Sequence, residues 1–168
     1  MKPLGLLLLA GCVLAAGCGD DDNPAAPSAA PLVFTAQLRP ANEVPPVTNS
    51  ESGGLGAVQI TFEGADAGAQ TASFHIQLNG FPEGTTLVGA HIHPGAAGAN
   101  GPVVVGTGIS ATTPLELSEG ITSFDTGNIN VSAATAQAII NNPSGFYFNV
   151  HSRLNPGGVA RGQLVRIQ

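Results

Sequence analysis

From Leu32 onward, short runs of alternating apolar and polar residues recur between clusters rich in Gly, Pro, Asn and Asp. In Leu32–Leu38, Leu32, Phe34, Ala36 and Leu38 oppose Val33, Thr35 and Gln37. Gly56–Phe62 sets Val58, Ile60 and Phe62 against Ala57 and Gln59, and Thr71–Leu78 sets Phe74, Ile76 and Leu78 against His75 and Gln77. A strand sends successive side chains to opposite faces, so a period of two marks a strand with one buried face. Further strands are expected over Leu87–His93, Val103–Gly106, Gly145–His151 and Gly162–Ile167. Strands at this spacing, joined by tight turns, predict an all-β fold, an antiparallel Greek-key-like β-sandwich. One short helix is expected near 132–141. Ser132 is a good N-cap, Ala133–Asn141 is rich in Ala, and Asn142-Pro143 ends the run. Such a helix is too short to stand alone and must pack Ile139 and Ile140 onto the sheets.

Composition sharpens this picture. The chain has 168 residues, with 23 Gly, 13 Pro and only 10% charged residues, which suits one turn-rich domain behind an N-terminal extension. Acidic residues outnumber basic ones by 11 to 5, and Lys2 is the only lysine. No basic stripe is available to neutralise phosphates, so nucleic acid is excluded as a partner.

The N-terminus points to export. Met1-Lys2 precedes an apolar run, Leu4–Ala16, which is too short to span a bilayer. Ala15-Ala16-Gly17-Cys18 then resembles the end of a bacterial lipoprotein signal, with residues 1–17 removed and Cys18 lipidated. Leu9-Ala10-Gly11-Cys12 is the alternative lipidation point, but cutting there leaves a very short apolar core and an apolar tail on the mature chain. An ordinary secretory signal is the other reading. Both cysteines lie in this segment, so the domain forms no disulfide and depends on its core. Residues 18–31, rich in Asp, Pro and Ala, read as a lipidated cysteine and disordered spacer, and 32–168 as the domain. The expected setting is a membrane surface, periplasmic or on the cell exterior, with the membrane as partner through the lipid.

The chemistry lies in the histidines. Ala90-His91-Ile92-His93 alternates, so both imidazoles project from one face, roughly 6–7 Å apart at the backbone. In Phe146–His151 the apolar face is Phe146, Phe148 and Val150, which leaves Tyr147, Asn149 and His151 on the other. If the two strands are neighbours, His91, His93 and His151 converge on one ion. Imidazole ligands suit copper, with zinc second. The same histidines also suit a purely structural role. The loops Pro94–Pro102 and Asn155–Gly158 leave just beyond them, and their backbone groups need partners. Asn100, Asn155 and Arg161 are expected to structure these loops, with Arg153 and Arg161 each able to pair a carboxylate such as Glu43 or clamp a loop carbonyl. His75 is expected to be exposed. Gly95–Gly101 is not a phosphate loop, since no Lys-Ser/Thr follows and a Val-rich strand comes next. No Ser/His/Asp arrangement or paired-carboxylate site is visible, so no catalytic residue is assigned.

The order of these motifs resembles the CHRD domain, the module first described in chordin. The resemblance rests on Phe34-Thr35-Ala36-Gln37-Leu38, Asn42-Glu43-Val44-Pro45-Pro46-Val47, Ala90-His91-Ile92-His93, Asn100-Gly101-Pro102-Val103-Val104-Val105, Asn149-Val150-His151 and Asn155-Pro156-Gly157-Gly158-Val159-Ala160-Arg161-Gly162-Gln163-Leu164. It implies a β-sandwich and, from chordin's part in an extracellular growth-factor antagonist, interaction rather than catalysis, though that partner does not carry over to a lipoprotein. Together with the N-terminal signal, the expected function is a non-catalytic binding or structural module of the cell envelope. A weaker resemblance links Gly89-Ala90-His91-Ile92-His93 to the His-x-His strand of copper/zinc superoxide dismutases, with His151 placed like their later copper ligand. That likeness implies a competing function, a copper-dependent redox enzyme. The chain lacks a clear bridging histidine, zinc-site set and disulfide cysteines.

Overall fold

The three cleanest alternating runs pair with one another. In the computed structural model, which describes residues 30–64 and 69–168, they form β1 (Leu32–Leu38), β2 (Leu55–Glu63) and β3 (Ala69–Asn79). The chain continues through β4 (Thr85–Pro94), β5 (Val105–Gly106), β6 (Leu115–Leu117), β7 (Thr122–Ser132), α1 (Ala133–Asn141), β8 (Phe146–Ser152), β9 (Ala160–Gln163) and β10 (Val165–Arg166). Cys12, Cys18 and the signal-like segment lie outside the described residues, as does nearly all of the spacer. Among the described residues, no helix is long and apolar enough to cross a membrane.

Register follows from burial. Phe34 opposes Ile60, which opposes Phe74, and Ala36, Val58 and Ile76 form the next rung. Slipping any strand by one residue would expose its whole apolar set, so the buried face dictates the pairing. The first sheet has the order β10-β1-β2-β3-β7, the last strand returning beside the first in the manner of a Greek key. The second has the order β5-β4-β8-β9, with β6 also pairing β4. All these pairings are antiparallel. The sheets face each other as a sandwich, with Phe74 and Phe148 meeting across the interface at 5.7 Å between ring centroids. Ser132 caps α1 by accepting from the Thr135 N–H at 3.1 Å. Ala136 and Ile139 enter the core, whereas Ile140 is only partly buried against it.

Two differences from the sequence expectation have clear causes. β7 was hidden because its alternation changes phase: Thr126 opposes Phe74 and Ile129 opposes Ala72, so Gly127 and Asn128 together face the single residue Ser73. This is a β-bulge, with Asn128 at φ 57°, and it places Phe124 and Ile129 five positions apart on one face. The expected strand Gly162–Ile167 is two strands, because the chain leaves β9 of one sheet at Leu164 and enters β10 of the other.

Phe148 is fully buried at the sheet–sheet contact. Phe148→Ala is expected to cost about 3–5 kcal/mol of stability, read from the urea unfolding curve; a loss below ~1 kcal/mol would contradict this packing.

Candidate metal centre

β4 and β8 are hydrogen-bonded neighbours, with Gly89 opposite His151, His91 opposite Asn149 and His93 opposite Tyr147. Ala90, Ile92, Phe148 and Val150 point to the other side and are fully buried in the core. That core packing turns His91, His93 and His151 onto one shared face. Their ring centroids lie 5.7 Å (His91–His93), 5.1 Å (His91–His151) and 5.8 Å (His93–His151) apart. One ring nitrogen from each lies within 4.8 Å of the other two. Gly89 makes the close approach feasible. A Cβ there would stand 2.7 Å from His91 Cε1 and 3.2 Å from His151 Cδ2, in the space where the two rings meet.

Hydrogen bonds set the tautomers. His93 Nδ1 is 3.0 Å from the Gly101 carbonyl, and His151 Nδ1 is 3.0 Å from the Pro156 carbonyl. A carbonyl only accepts, so each Nδ1 carries the proton and each Nε2 keeps a bare lone pair. Both Nε2 atoms are buried with no hydrogen-bond partner among the described residues, and so is His91 Nδ1. Three unpartnered ring nitrogens are costly to bury unless a ligand takes them. The carbonyl bonds are those that hold a ligating imidazole in place.

Burial lowers the pKa of all three rings. His91 falls to about 4, first through burial and then through the two neighbouring imidazoles. His93 and His151 are also lowered by burial, with the carbonyl bonds opposing it. The triad is therefore neutral at physiological pH, the form that binds a metal. A tetrahedral ion with bonds of about 2.0–2.1 Å holds its nitrogens ~3.3 Å apart. The rings thus need to close by at most about 1.5 Å, within reach of small side-chain rotations.

A buried second layer supports the loops. Tyr147 stacks on His93 at 5.0 Å with the rings 6° from parallel, and its hydroxyl accepts from the Gly101 N–H at 3.1 Å. Gly101 is required here, since a Cβ would fall 1.8 Å from the Pro94 carbonyl oxygen. Arg161, 2% exposed, donates from Nε to Asn42 O at 2.7 Å, and from Nη1 to Ala99 O at 3.1 Å and Asn100 Oδ1 at 2.9 Å. Its guanidinium also lies 4.7 Å over the Tyr147 ring and 3.8 Å from Glu43. Asn100 donates to Val44 O, while Asn155 pairs with Asn49 and donates to Glu51. The Glu43 carboxyl is raised to about 7, because burial outweighs the opposing pull of Arg161.

Outside the site, His75 is part-exposed rather than free, with Nδ1 2.7 Å from Asp125 across β3 and β7. Gly89, Tyr147 and Glu51 escaped sequence reasoning as functional residues. Gly89 left a faint signal, an empty place on the histidine face two residues before His91. Glu51 left none, since its partner Ser152 is 101 residues away.

The opposed shifts of His91 and Glu43 give a pH test. Between about 4 and 6.5 the unfolded chain binds more protons at His91, so this contribution to stability is lost as pH falls through that window. Glu43 acts oppositely: between 4.5 and about 7 the folded chain binds more protons, so its contribution is lost as pH rises. In metal-free protein, His91→Gln is expected to lessen acid destabilisation and Glu43→Gln to lessen the loss on the neutral side. Urea midpoints at about pH 5 and pH 7.5 read both, and wild-type pH slopes in the variants would refute the buried-group assignment.

The family model of the CHRD domain matches residues 34–164. No curated protein and no solved structure matches the chain. The matched span starts within β1, ends just past β9, and contains all three convergent histidines with Arg161 and both pinned loops. The chain belongs to the CHRD domain family.

Proposed function

We propose that this protein is a copper-binding, non-catalytic module of the cell envelope, exported and held at a membrane surface by a lipid on Cys18. The observation that carries the metal reading is the triad of neutral imidazoles, each with a buried ring nitrogen that has no partner among the described residues. Copper is favoured because the group is purely imidazole, which does not suit calcium or magnesium, and because such sites bind Cu²⁺ above the other first-row divalent ions. His91, His93 and His151 would hold the ion, and the Gly101 and Pro156 carbonyls would keep two of the rings aimed. The export reading is supported by the apolar run Leu4–Ala16, the small residues before Cys18 and the Asp/Pro/Ala spacer that follows. Three protein ligands leave a coordination position open, and this favours a copper-dependent redox enzyme of dismutase type as the second reading.

Metal analysis and copper titration of the purified protein, beside a His91→Ala/His93→Ala variant, test the site. Wild type is expected to take up one copper per chain and the variant none; equal uptake would sink the proposal. Gly89→Ala, which pushes the His91 and His151 rings apart, is expected to weaken copper binding at least ~10-fold with the β-rich circular dichroism kept. Superoxide consumption by the loaded protein beyond that of free copper would favour the enzyme over the carrier.

A further inference from the structure

The imidazole face carries one more buried acceptor with nothing to accept. Asn149 stands directly across from His91 in the β4–β8 pairing, and its neighbours two residues away on the same face are Tyr147 and His151. It is 2% exposed, and its Oδ1 is buried with no hydrogen-bond partner among the described residues. Arg161, opposite it on β9, directs its hydrogen bonds to Asn42, Ala99 and Asn100 instead. Leaving an amide oxygen dry and unpaired costs about 1–3 kcal/mol. An apolar side chain would fill the same place without that cost.

Two contacts show which way these polar atoms look. Gly106 of β5 opposes His91 from the side away from β8, and a Cβ on it would stand 3.5 Å from His91 Cδ2. The other edge of the ring carries Nδ1, which therefore faces β8, where Asn149 stands. A Cβ on Gly158 would lie 2.7 Å from Asn149 Nδ2, and 2.6 and 2.8 Å from the two Glu43 carboxyl oxygens. Glu43 lies on the β9 side, 3.8 Å from Arg161. The amide nitrogen thus borders that carboxyl, which leaves Oδ1 to the side of β4 and the histidines. An ion held by His91 Nδ1 has this oxygen beside it. Carbonyl oxygens suit magnesium, calcium and manganese better than copper, so Oδ1 is a poor direct ligand. It is a good acceptor for an O–H or N–H on whatever fills the position that three imidazoles leave open.

We infer that Asn149 selects the fourth ligand of the metal centre. Its side-chain oxygen accepts a hydrogen bond from a bound water, or from another ligand that carries a proton, and it disfavours an anion that carries none and leaves Oδ1 unpaired. The inference rests on the copper reading above and adds a specificity-determining residue to it. Azide is the probe, because it coordinates Cu²⁺ and has no hydrogen to donate. Asn149→Leu keeps the size of the side chain and removes the acceptor. Azide binding by the Cu²⁺-loaded variant, followed by its charge-transfer absorption, is expected to be about 10-fold tighter than by loaded wild type. The copper dissociation constant, measured by competition with a chelator of known affinity, is expected to hold or rise. Unchanged or weaker azide binding overturns the inference. Asn149→Asp keeps an acceptor in the same place, so it separates loss of the acceptor from loss of packing and serves if the leucine variant does not fold. Its azide binding is expected to be as weak as that of wild type or weaker, and tighter binding overturns the inference. Wild-type protein that takes up no copper sinks the copper reading itself, whereas copper uptake with equal azide affinity in wild type and Asn149→Leu sinks only the role of Asn149.

Discussion

Arg161 carries a planar guanidinium into a place with almost no water, and its Nε and Nη1 donors reach chain segments far apart in sequence. Asn42 lies in the connection between β1 and β2, Ala99 and Asn100 lie in the loop after β4, and the guanidinium also covers Tyr147 on β8. A lysine would offer a point charge in place of this planar fork. Because Arg161 holds the loop after β4, the Gly101 carbonyl stays where His93 needs it. Because it lies over Tyr147, the ring stacked on His93 is held as well. The ordering of the histidine face starts from this one buried cation.

A structural role and a metal-binding role for the histidines are often opposed, and here the same hydrogen bonds serve both. When His93 and His151 tie down the loops at Gly101 and Pro156, each must put its proton on Nδ1. That leaves Nε2 bare and buried. Loop pinning thus creates the ligand atoms instead of competing with them. The cost of three unpartnered nitrogens is tolerable in a β-sandwich whose opposite face is fully packed with Ala90, Ile92, Phe148 and Val150.

The β1–β2 connection ties the site to the opposite sheet. It supplies Glu43 and Asn42 to Arg161, and Asn49 and Glu51 to the turn after β8. β8 is consequently buried along most of both faces, although its sequence alternates as if one face met water. Loop cover, rather than strand composition, dries the histidine face and lowers the pKa of its imidazoles.

Alternation is a local consequence of strand stereochemistry, so β1, β2, β3, β4 and β8, and the shared face of His91 and His93, were legible from residues alone. β7 was not, because a bulge at Gly127–Asn128 breaks the period that betrays a strand. Nor does any local pattern foretell that Glu51 meets Ser152, since each contributes to a burial that only the assembled sheets create. The sequence determined which faces of the strands are apolar and which carry imidazoles. Only the tertiary structure decided that β4 and β8 are neighbours in a register that brings His151 to the pair, and which nitrogen of His93 and His151 keeps its lone pair. Pairing and register are chosen by long-range burial of the core, and the tautomer by carbonyls on loops that reach the rings only in the folded chain.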